Sequence, residues 1–519
     1  MRKNISLFAI MTTLCLWASC SSENIVADKQ QEKENTEELT TFTSGDNPST
    51  RTSMDYTTGK FYWSNNSEYI FVKDDNNTFN SSTANSITTK TEAAKFMVPG
   101  TYTGNDYTVT YTGLGTGKAN QVQIASQQLQ KLPNTTDHFQ NSGDCGIATA
   151  TKEADGKFHF KLNHKATYLC FLPRIGTSIL TDAYIENIEV TSDNDIAGIY
   201  KLSNTGLSNT PISSGSKTIT LRTVMNNGKG FPLTNSATSI TTNGAFMVIA
   251  PGTHALKIRY WLFDPTTNVR GTITKTIPAT TYVANTIYDM TANLALRDYT
   301  ENKYYMWDAV NDYWHNHESD QPVNRDSYLS SGGDGDNYPA NASDPDNRWY
   351  NTIDNGGVTQ ASHSAATYPN VNEMTHYAAE GSPHWDDDEL WIWNGHLYKG
   401  GIWIKKKAYI PTFSSSAYNG VDYRTYTTPL WLQLTIPVGQ PSAATMNQYF
   451  YIPALSMYLL QSTLGGTKSY LQQSLYGRYF TSSPVPGNDA YAYFLWFARG
   501  QITVGGTPRD WGMPTFTFE

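Results

Sequence analysis

The sequence predicts a mainly β protein, with sandwich-like units in series followed by a loop-rich α+β region. Three observations predict it. Up to Leu296, alternating apolar and polar segments recur between Gly, Asn, Asp and Pro, the period of half-buried strands. Helical periodicity is almost absent. After Arg297 the texture changes: Trp and Tyr become dense and polar loops lengthen, and of the 13 Trp only Trp17, Trp63 and Trp261 precede residue 300. A length of 519 residues suits about two to four domains.

The chain begins Met1-Arg2-Lys3-Asn4, then runs apolar from Ile5 to Trp17 and reaches Ala18-Ser19-Cys20. A basic start, a short apolar stretch and small residues before a cleavage point make a secretory signal. The run falls short of the roughly 20 apolar residues of a spanning helix. Small residues directly before Cys20 resemble a lipobox, in which a signal peptidase cuts and the cysteine receives lipid. Ordinary secretion with Cys20 as a bystander is the other reading. Residues 1–20 are thus expected to be a lipoprotein signal. Residues 21–36, with Lys29-Gln30-Gln31-Glu32-Lys33-Glu34-Asn35, read as a polar tether. The expected place is the outer membrane and cell surface, through the lipid.

Hydrophobic residues are 39% and charged residues only 16%, so Thr, Ser, Asn and Tyr must cover the surface. The 34 Tyr suit strands and sticky interfaces. A formal net charge of −9 without a basic stripe argues against a nucleic-acid partner. Cys15 leaves with the signal and Cys20 is the anchor. Cys145 and Cys170 remain, in an exported chain where disulfides persist. They can pair or stay as two buried thiols; spacing does not decide between these, and a disulfide is the expectation carried forward.

Strands are predicted at Tyr69–Val72, Lys95–Val98, Tyr107–Tyr111, Val122–Ile124, Phe158–Leu162 and Thr167–Phe171, making a first unit over residues 37–173. A second unit, 174–298, includes Ile185–Val190, Thr218–Leu221, Phe246–Ile249 and Leu256–Trp261. Short strands at regular spacing indicate β-sandwiches. A short repeat links the two units: Phe96-Met97-Val98-Pro99-Gly100-Thr101 parallels Phe246-Met247-Val248-Ile249-Ala250-Pro251-Gly252-Thr253. Residues 299–519 form the loop-rich region, with helix candidates near Asn370–Ala379 and Ala454–Gln461.

Certain residues of the first unit carry a family likeness: Thr50-Arg51-Thr52, Gly59-Lys60-Phe61-Tyr62-Trp63, Glu68–Val72, Val122–Ile124 with Gln127-Gln128, and Phe160–Phe171. In order and spacing these resemble the fimbrillin family of Bacteroides-type pili. The second unit matches more loosely, through Ile188–Val190, Gly198–Tyr200 and Tyr282–Tyr288. The resemblance implies two tandem transthyretin-like β-sandwiches. The last stretch is similar to another family, the Fibrobacter succinogenes major paralogous domain, with a C-type-lectin-like fold. Its carriers are Ile452-Pro453-Ala454, Gly465-Gly466, Gly477–Ser483, Ala490–Phe497, Arg509 and Gly512. Tyr479-Phe480-Thr481-Ser482-Ser483 departs from the usual Tyr-Trp-Ser-Ser.

Motifs of known catalysis are missing: no Gly-x-Ser-x-Gly elbow, no His-Glu-x-x-His, no phosphate loop and no dinucleotide fingerprint. The formylglycine-generating chemistry hosted by the lectin-like fold depends on cysteine, and none follows Cys170. No enzyme activity and no cofactor are expected. Asp334-Gly335-Asp336-Asn337 and Asp344-Pro345-Asp346-Asn347 offer oxygen ligands at alternate positions, but turn chemistry explains them. His376, His384 and His396 have no spacing that selects a metal, and no metal site is expected. His384-Trp385-Asp386-Asp387-Asp388-Glu389 sets carboxylates beside an indole, as sugar sites do. Trp385, Asp386 and Asp388 are therefore the ligand-binding candidates, while Trp391 and Trp393 read as core.

Together the resemblances imply a pilus tip or tip-proximal subunit, an adhesin whose partners are other pilin subunits and a glycan or protein ligand. The rival is a surface glycan-binding lipoprotein of a polysaccharide-uptake system. Glu38–Thr43 alternates as a first strand should, and Gly45–Arg51 is a polar loop open to a trypsin-like protease. Fimbrillins are cut after an arginine in this region, which implies Arg51 as the processing site and assembly by strand exchange.

Overall fold

Alternation along the chain becomes strand after strand: the protein is mainly β, 45% strand and 6% helix. The computed structural model describes residues 39–44, 53–58, 61–64, 66–176, 180–225, 227–322, 337–352, 360–458 and 473–519. Cys20 and Arg51 lie outside them. Leu39–Glu519 forms one unit by its contacts.

The amino-terminal half runs β1 (Leu39–Ser44), β2 (Phe71–Lys73), β3 (Lys95–Pro99), β4 (Asp106–Tyr111), β5 (Gln121–Ile124), β6 (Gln127–Gln130), β7 (Gly146–Lys152), β8 (Phe158–Phe160) and β9 (Thr167–Arg174). It continues with β10 (Tyr184–Ser192), β11 (Ala197–Ser203), β12 (Thr218–Thr223), β13 (Ala245–Ile249), β14 (Gly252–Asp264), β15 (Val269–Tyr282) and β16 (Ile287–Asn293). The first sheet has the central order β2-β4-β7-β8-β1-β3. A second runs β6-β12-β10-β14-β15, and a third is β13-β9-β16.

The expected boundary near residue 173 falls inside β9. That strand pairs antiparallel with β13 and parallel with β16. β5 pairs with β11, and β6 with β12. Strands on both sides of residue 173 therefore share sheets and one core, from Met54 through Tyr168, Leu169 and Phe246 to Leu294. Alternation marks a segment as a strand but does not name its neighbours.

The short sequence repeat corresponds to a repeated pairing scheme. β3, holding Phe96-Met97-Val98, lies antiparallel to β1, and β1 is parallel to β8. β13, holding Phe246-Met247-Val248, lies antiparallel to β9, and β9 is parallel to β16. β1 and β9 thus occupy equivalent places. Between them, His164 and Tyr168 converge on the buried Asp144: the Tyr168 hydroxyl donates to Oδ1 at 2.5 Å and His164 Nδ1 lies 2.8 Å from it. Phe61 stacks on the His164 ring at 4.0 Å. This accounts for His164 and Tyr168 within Asn163-His164-Lys165-Ala166-Thr167-Tyr168.

The carboxyl-terminal region holds α1 (Val371–Glu380), β17 (His384–Trp393), β18 (His396–Lys405), β19 (Leu432–Thr435), β20 (Tyr449–Pro453), β21 (Tyr476–Pro484), β22 (Tyr491–Ala498) and β23 (Gln501–Pro508). β17-β18-β20 and β19-β23-β22-β21 form its two larger sheets. The helix expected near Asn370–Ala379 is α1. Its start is fixed by a capping box: Asn370 accepts from the Asn372 and Glu373 amides, and Glu373 accepts from the Asn370 amide. Its buried face, Val371, Met374, Tyr377 and Ala378, shares a core with Leu495, Phe497, Ile502 and Val504. The second expected helix is not formed where it is described. The Ala454, Ser456 and Tyr458 amides donate instead to Gly400, Tyr476 and Gly512, so Ala454–Tyr458 is not helical; the rest of that candidate lies outside the described residues.

Asp264, at the end of β14 and fully buried, ties this region to the preceding sheet. It accepts from the Thr266 amide at 2.9 Å, the Leu397 amide at 2.9 Å and His396 Nδ1 at 3.1 Å. The Thr267 hydroxyl donates to the Leu397 carbonyl at 2.7 Å. Leu390, Ile392 and Leu397 join the core of the second repeat. Asp264→Ala is expected to cost about 2–4 kcal/mol, the scale of leaving two buried N–H donors unpaired, read as a lowered urea midpoint.

The expected disulfide is absent: Cys145 and Cys170 are both buried free thiols. Cys145 sits beside Asp144 and Tyr168, while Cys170 faces Asp289 and Tyr56. Burial, helped by the neighbouring carboxylates, pushes both thiols up, which makes them slow to ionise and oxidise. Protein unfolded and alkylated without reductant is expected to carry the label at both Cys145 and Cys170 in peptide mass analysis. An unlabelled, linked peptide pair would contradict this.

Candidate functional site

Two places were candidates from the sequence: the amino-terminal strand and the acidic–indole segment 384–389. The strand is built into the middle of its sheet. Leu39–Thr43 pairs with β3 and Phe42–Ser44 with β8, so both edges of β1 are engaged. Its anchor is Phe42, fully buried, stacked on Phe158 at 4.9 Å and edge-on to Tyr102 at 5.1 Å. Ser44 closes the strand. Its hydroxyl accepts from Trp63 Nε1 at 2.8 Å and from the Ala94 amide at 2.8 Å.

After β1 the described chain resumes at Ser53-Met54. Here it is held by a different element. Ser53 Oγ donates to Asp137 Oδ1 at 2.9 Å, the Met54 amide donates to Thr136 Oγ1 at 2.5 Å, and Met54 enters the core of the second repeat. The connection containing Arg51 therefore joins a strand in one core to an anchor in another.

Within the acidic–indole segment, Trp385 and Asp386 turn out to be internal. Trp385 is 2% exposed and Asp386 is 2% exposed; Asp388 is exposed. The Trp385 side chain belongs to the core under α1 and lies 6.3 Å from the Phe497 ring. Its Nε1 donates to Asp387 Oδ1 at 2.5 Å, and Arg499 Nε donates to the other oxygen of Asp387 at 2.9 Å. Burial raises the Asp387 carboxyl, but these two donors outweigh it and hold the group below its ordinary value.

Asp386 organises an irregularity in β17, where register with β18 shifts between Asp386 and Leu390. Its Oδ1 accepts from the Asp388 and Glu389 amides at 2.9 and 3.2 Å. Its Oδ2 accepts from Trp403 Nε1 at 3.0 Å and Gln440 Nε2 at 2.9 Å. Four donors answer one buried carboxylate. Burial pushes the adjoining Glu389 carboxyl up, against the pull of Arg297. Trp385 and Asp386 thus serve structure rather than a ligand. Trp391 and Trp393 are buried, as expected.

Other polar candidates are also engaged locally. Asp344 holds Arg348 Nε at 2.8 Å, and Asp346 accepts from Asn316 Nδ2 at 2.7 Å. Asp334 and Asp336 lie outside the described residues. His376 contacts Glu380 at 2.9 Å, His396 contacts Asp264, and His384 lies against the Tyr449 ring; the three histidines are held in three separate settings. The exposed indole of this region is Trp431, 64% exposed and lying over Gly505 of β23. Sequence reasoning passed it over because it has no acidic neighbour.

No family model matches the chain, and no curated protein matches it. Several solved structures show partial likeness. A candidate cell adhesion protein from Bacteroides ovatus has 12% identity and a TM-score of 0.29, covering 47% of this chain and 92% of that one. Another from Bacteroides eggerthii has 9% identity and a TM-score of 0.25, covering 50% and 88%. A fimbrial protein from Bacteroides ovatus has 9% identity and a TM-score of 0.23, covering 91% and 100%.

Trp385→Ala is expected to lower stability by about 3–5 kcal/mol, the range for removing a large buried ring. Chemical denaturation followed by far-ultraviolet circular dichroism checks this. An unchanged midpoint would return Trp385 to the surface.

Proposed function

We propose that this chain is a surface adhesin of fimbrial type, a pilus tip or tip-proximal subunit exported as a lipoprotein through Cys20. It joins the next subunit by strand exchange after cleavage at Arg51. The observation that carries this reading is the seat of β1. β1 and β9 hold equivalent places in the two repeats. β9 is continuous with the chain on both sides and has a core residue at nearly every position. β1 follows the tether, and one cut at Arg51 frees it from the anchored Ser53-Met54. Its departure would leave β3 and β8 with unpaired edges around the space of the Phe42 ring. A sheet edge of that kind is a template for a donated strand.

The last described residues are packed rather than free. Phe516 and Phe518 pack against the core under α1. The Glu519 carbonyl accepts from the Lys407 amide at 2.9 Å and the Tyr377 hydroxyl at 2.9 Å. Residues 515–519 are thus held in the carboxyl-terminal region and do not supply a free donor strand.

Arg51→Ala in the native host is expected to abolish the processed form and incorporation into pili. Normal incorporation with residues 21–51 still attached would remove the assembly mechanism and favour the uptake-lipoprotein alternative.

A further inference from the structure

An open cleft of about 210 Å³ lies in the carboxyl-terminal region, between Asp308, Val310, the segment from Ala342 to Thr352, and His363. Its loops are tied together by Asp308, which is buried and has a left-handed backbone (φ 53°). The Asp308 carboxylate accepts from the Ser362 amide at 2.8 Å, the His363 amide at 2.5 Å and Asn351 Nδ2 at 2.8 Å. The Asn311 amide donates to the Asn347 carbonyl at 3.1 Å, and the Asn351 amide donates to the Trp307 carbonyl at 3.1 Å. Arg509 Nη1 donates to the Asn351 carbonyl, also at 3.1 Å. The walls are therefore set before anything enters, which lowers the ordering cost of binding.

Two rings and three polar side chains of this lining are reachable from solvent. Trp349 and Tyr350 are half-buried, with centroids 4.9 Å apart and planes inclined by 34°. Both pack against the aromatic core that holds Tyr304, Trp314 and Tyr338, and both also line the cleft. Asn347, Thr352 and His363 are exposed. Among the described residues the Asn347 carboxamide, the Thr352 hydroxyl and His363 Nε2 have no hydrogen-bond partner. These three groups meet water and can exchange it for the hydroxyls of a ligand.

The same lining restricts the class of ligand. An anionic ligand would meet no lysine or arginine there, and would approach the Asp308 carboxylate instead. A purely apolar ligand would strip water from Asn347, Thr352 and His363 and return no hydrogen bonds. The volume falls below the about 300–1,000 Å³ of drug-sized pockets, which suits one ring rather than several. Aromatic surface beside amide, hydroxyl and imidazole groups fits a small molecule with apolar C–H faces and a rim of hydroxyls.

We propose that this cleft binds one neutral sugar residue of a glycan. The C–H face of the sugar rests against Trp349 and Tyr350, and its hydroxyls pair with Asn347, Thr352 and His363. The proposal rests on the adhesin reading and gives that adhesin a ligand class. It also moves the ligand site away from Trp385.

The test uses the full chain and a panel of sugars at millimolar concentration: glucose, galactose, mannose, fucose, N-acetylglucosamine and N-acetylgalactosamine, with sialic acid and galactose 6-sulfate as charged controls. Saturation-transfer NMR reads binding, and thermal melting reads folding. At least one neutral sugar is expected to bind. Thr352→Ala combined with His363→Ala, both at exposed positions, is expected to weaken it about tenfold or more with an unchanged melting temperature, the scale of one or two lost hydrogen bonds. Trp349→Ala is expected to abolish transfer and Trp349→Phe to retain it; if Trp349→Ala unfolds, the double variant decides. No transfer from any neutral sugar overturns the proposal. So does binding that survives the double variant, binding lost in Trp431→Ala but kept in the double variant, or binding confined to the charged controls. The outcome is independent of Arg51 processing. Sugar binding lost in the double variant, with normal incorporation of Arg51→Ala, would keep the cleft and discard the tip assembly.

Discussion

A fully buried carboxylate, Asp264, connects the sandwich-forming half of the molecule to its loop-rich half. It sits where β14 turns toward β15 and answers the Leu397 amide and His396 of the facing hairpin. A charge removed from water costs several kcal/mol unless hydrogen bonds answer it, so its donors are fixed in position by it as much as it is by them. Around it, Leu390, Ile392 and Leu397 complete a core that begins in the second repeat. The loop-rich half is therefore set against a rigid sheet.

Strand locations were legible in the sequence because alternation is a local property. The pairing of those strands was not, because it is decided by contacts between distant segments. Val122–Ile124 and Thr167–Phe171 read correctly as strands, yet they hydrogen-bond to Ala197–Ser203, Ala245–Ile249 and Ile287–Asn293. The short Phe-Met-Val repeat held more information than its length promised, since it marks the same position in two copies of one pairing scheme. Trp385 and Asp386 show the opposite failure. An indole beside carboxylates has one sequence signature whether it meets a sugar or holds a strand irregularity together. What separates the two is the arrival of Trp403 and Gln440 from elsewhere. Cys145 and Cys170 failed similarly, sharing a core but not each other.

β1 and β9 make an informative pair energetically. Each has neighbours on both edges, and each places apolar side chains in a core. Phe42 is the only large apolar side chain that β1 buries completely, whereas β9 buries Tyr168, Leu169, Cys170 and Phe171 completely. The Phe42 ring is worth about 3–5 kcal/mol by the measure of removing it, and the rest of the hold on β1 is main-chain pairing together with the Ser44 hydroxyl. Backbone pairing is indifferent to side chains, so the place of β1 is specified less by its own sequence than that of β9.

The long hairpin of β14 and β15 raises a different matter, colloidal stability. β15 forms the outer edge of its sheet over fourteen residues, and a straight edge of that length would recruit any extended chain in a crowded surface layer. Its sequence blunts it. Arg270 and Lys275 place charge along it, Pro278 removes one N–H, and the register against β14 slips between His254 and Leu256. These features make the flank a poor template for a further strand, so copies of the chain at high concentration gain little from edge-to-edge pairing there.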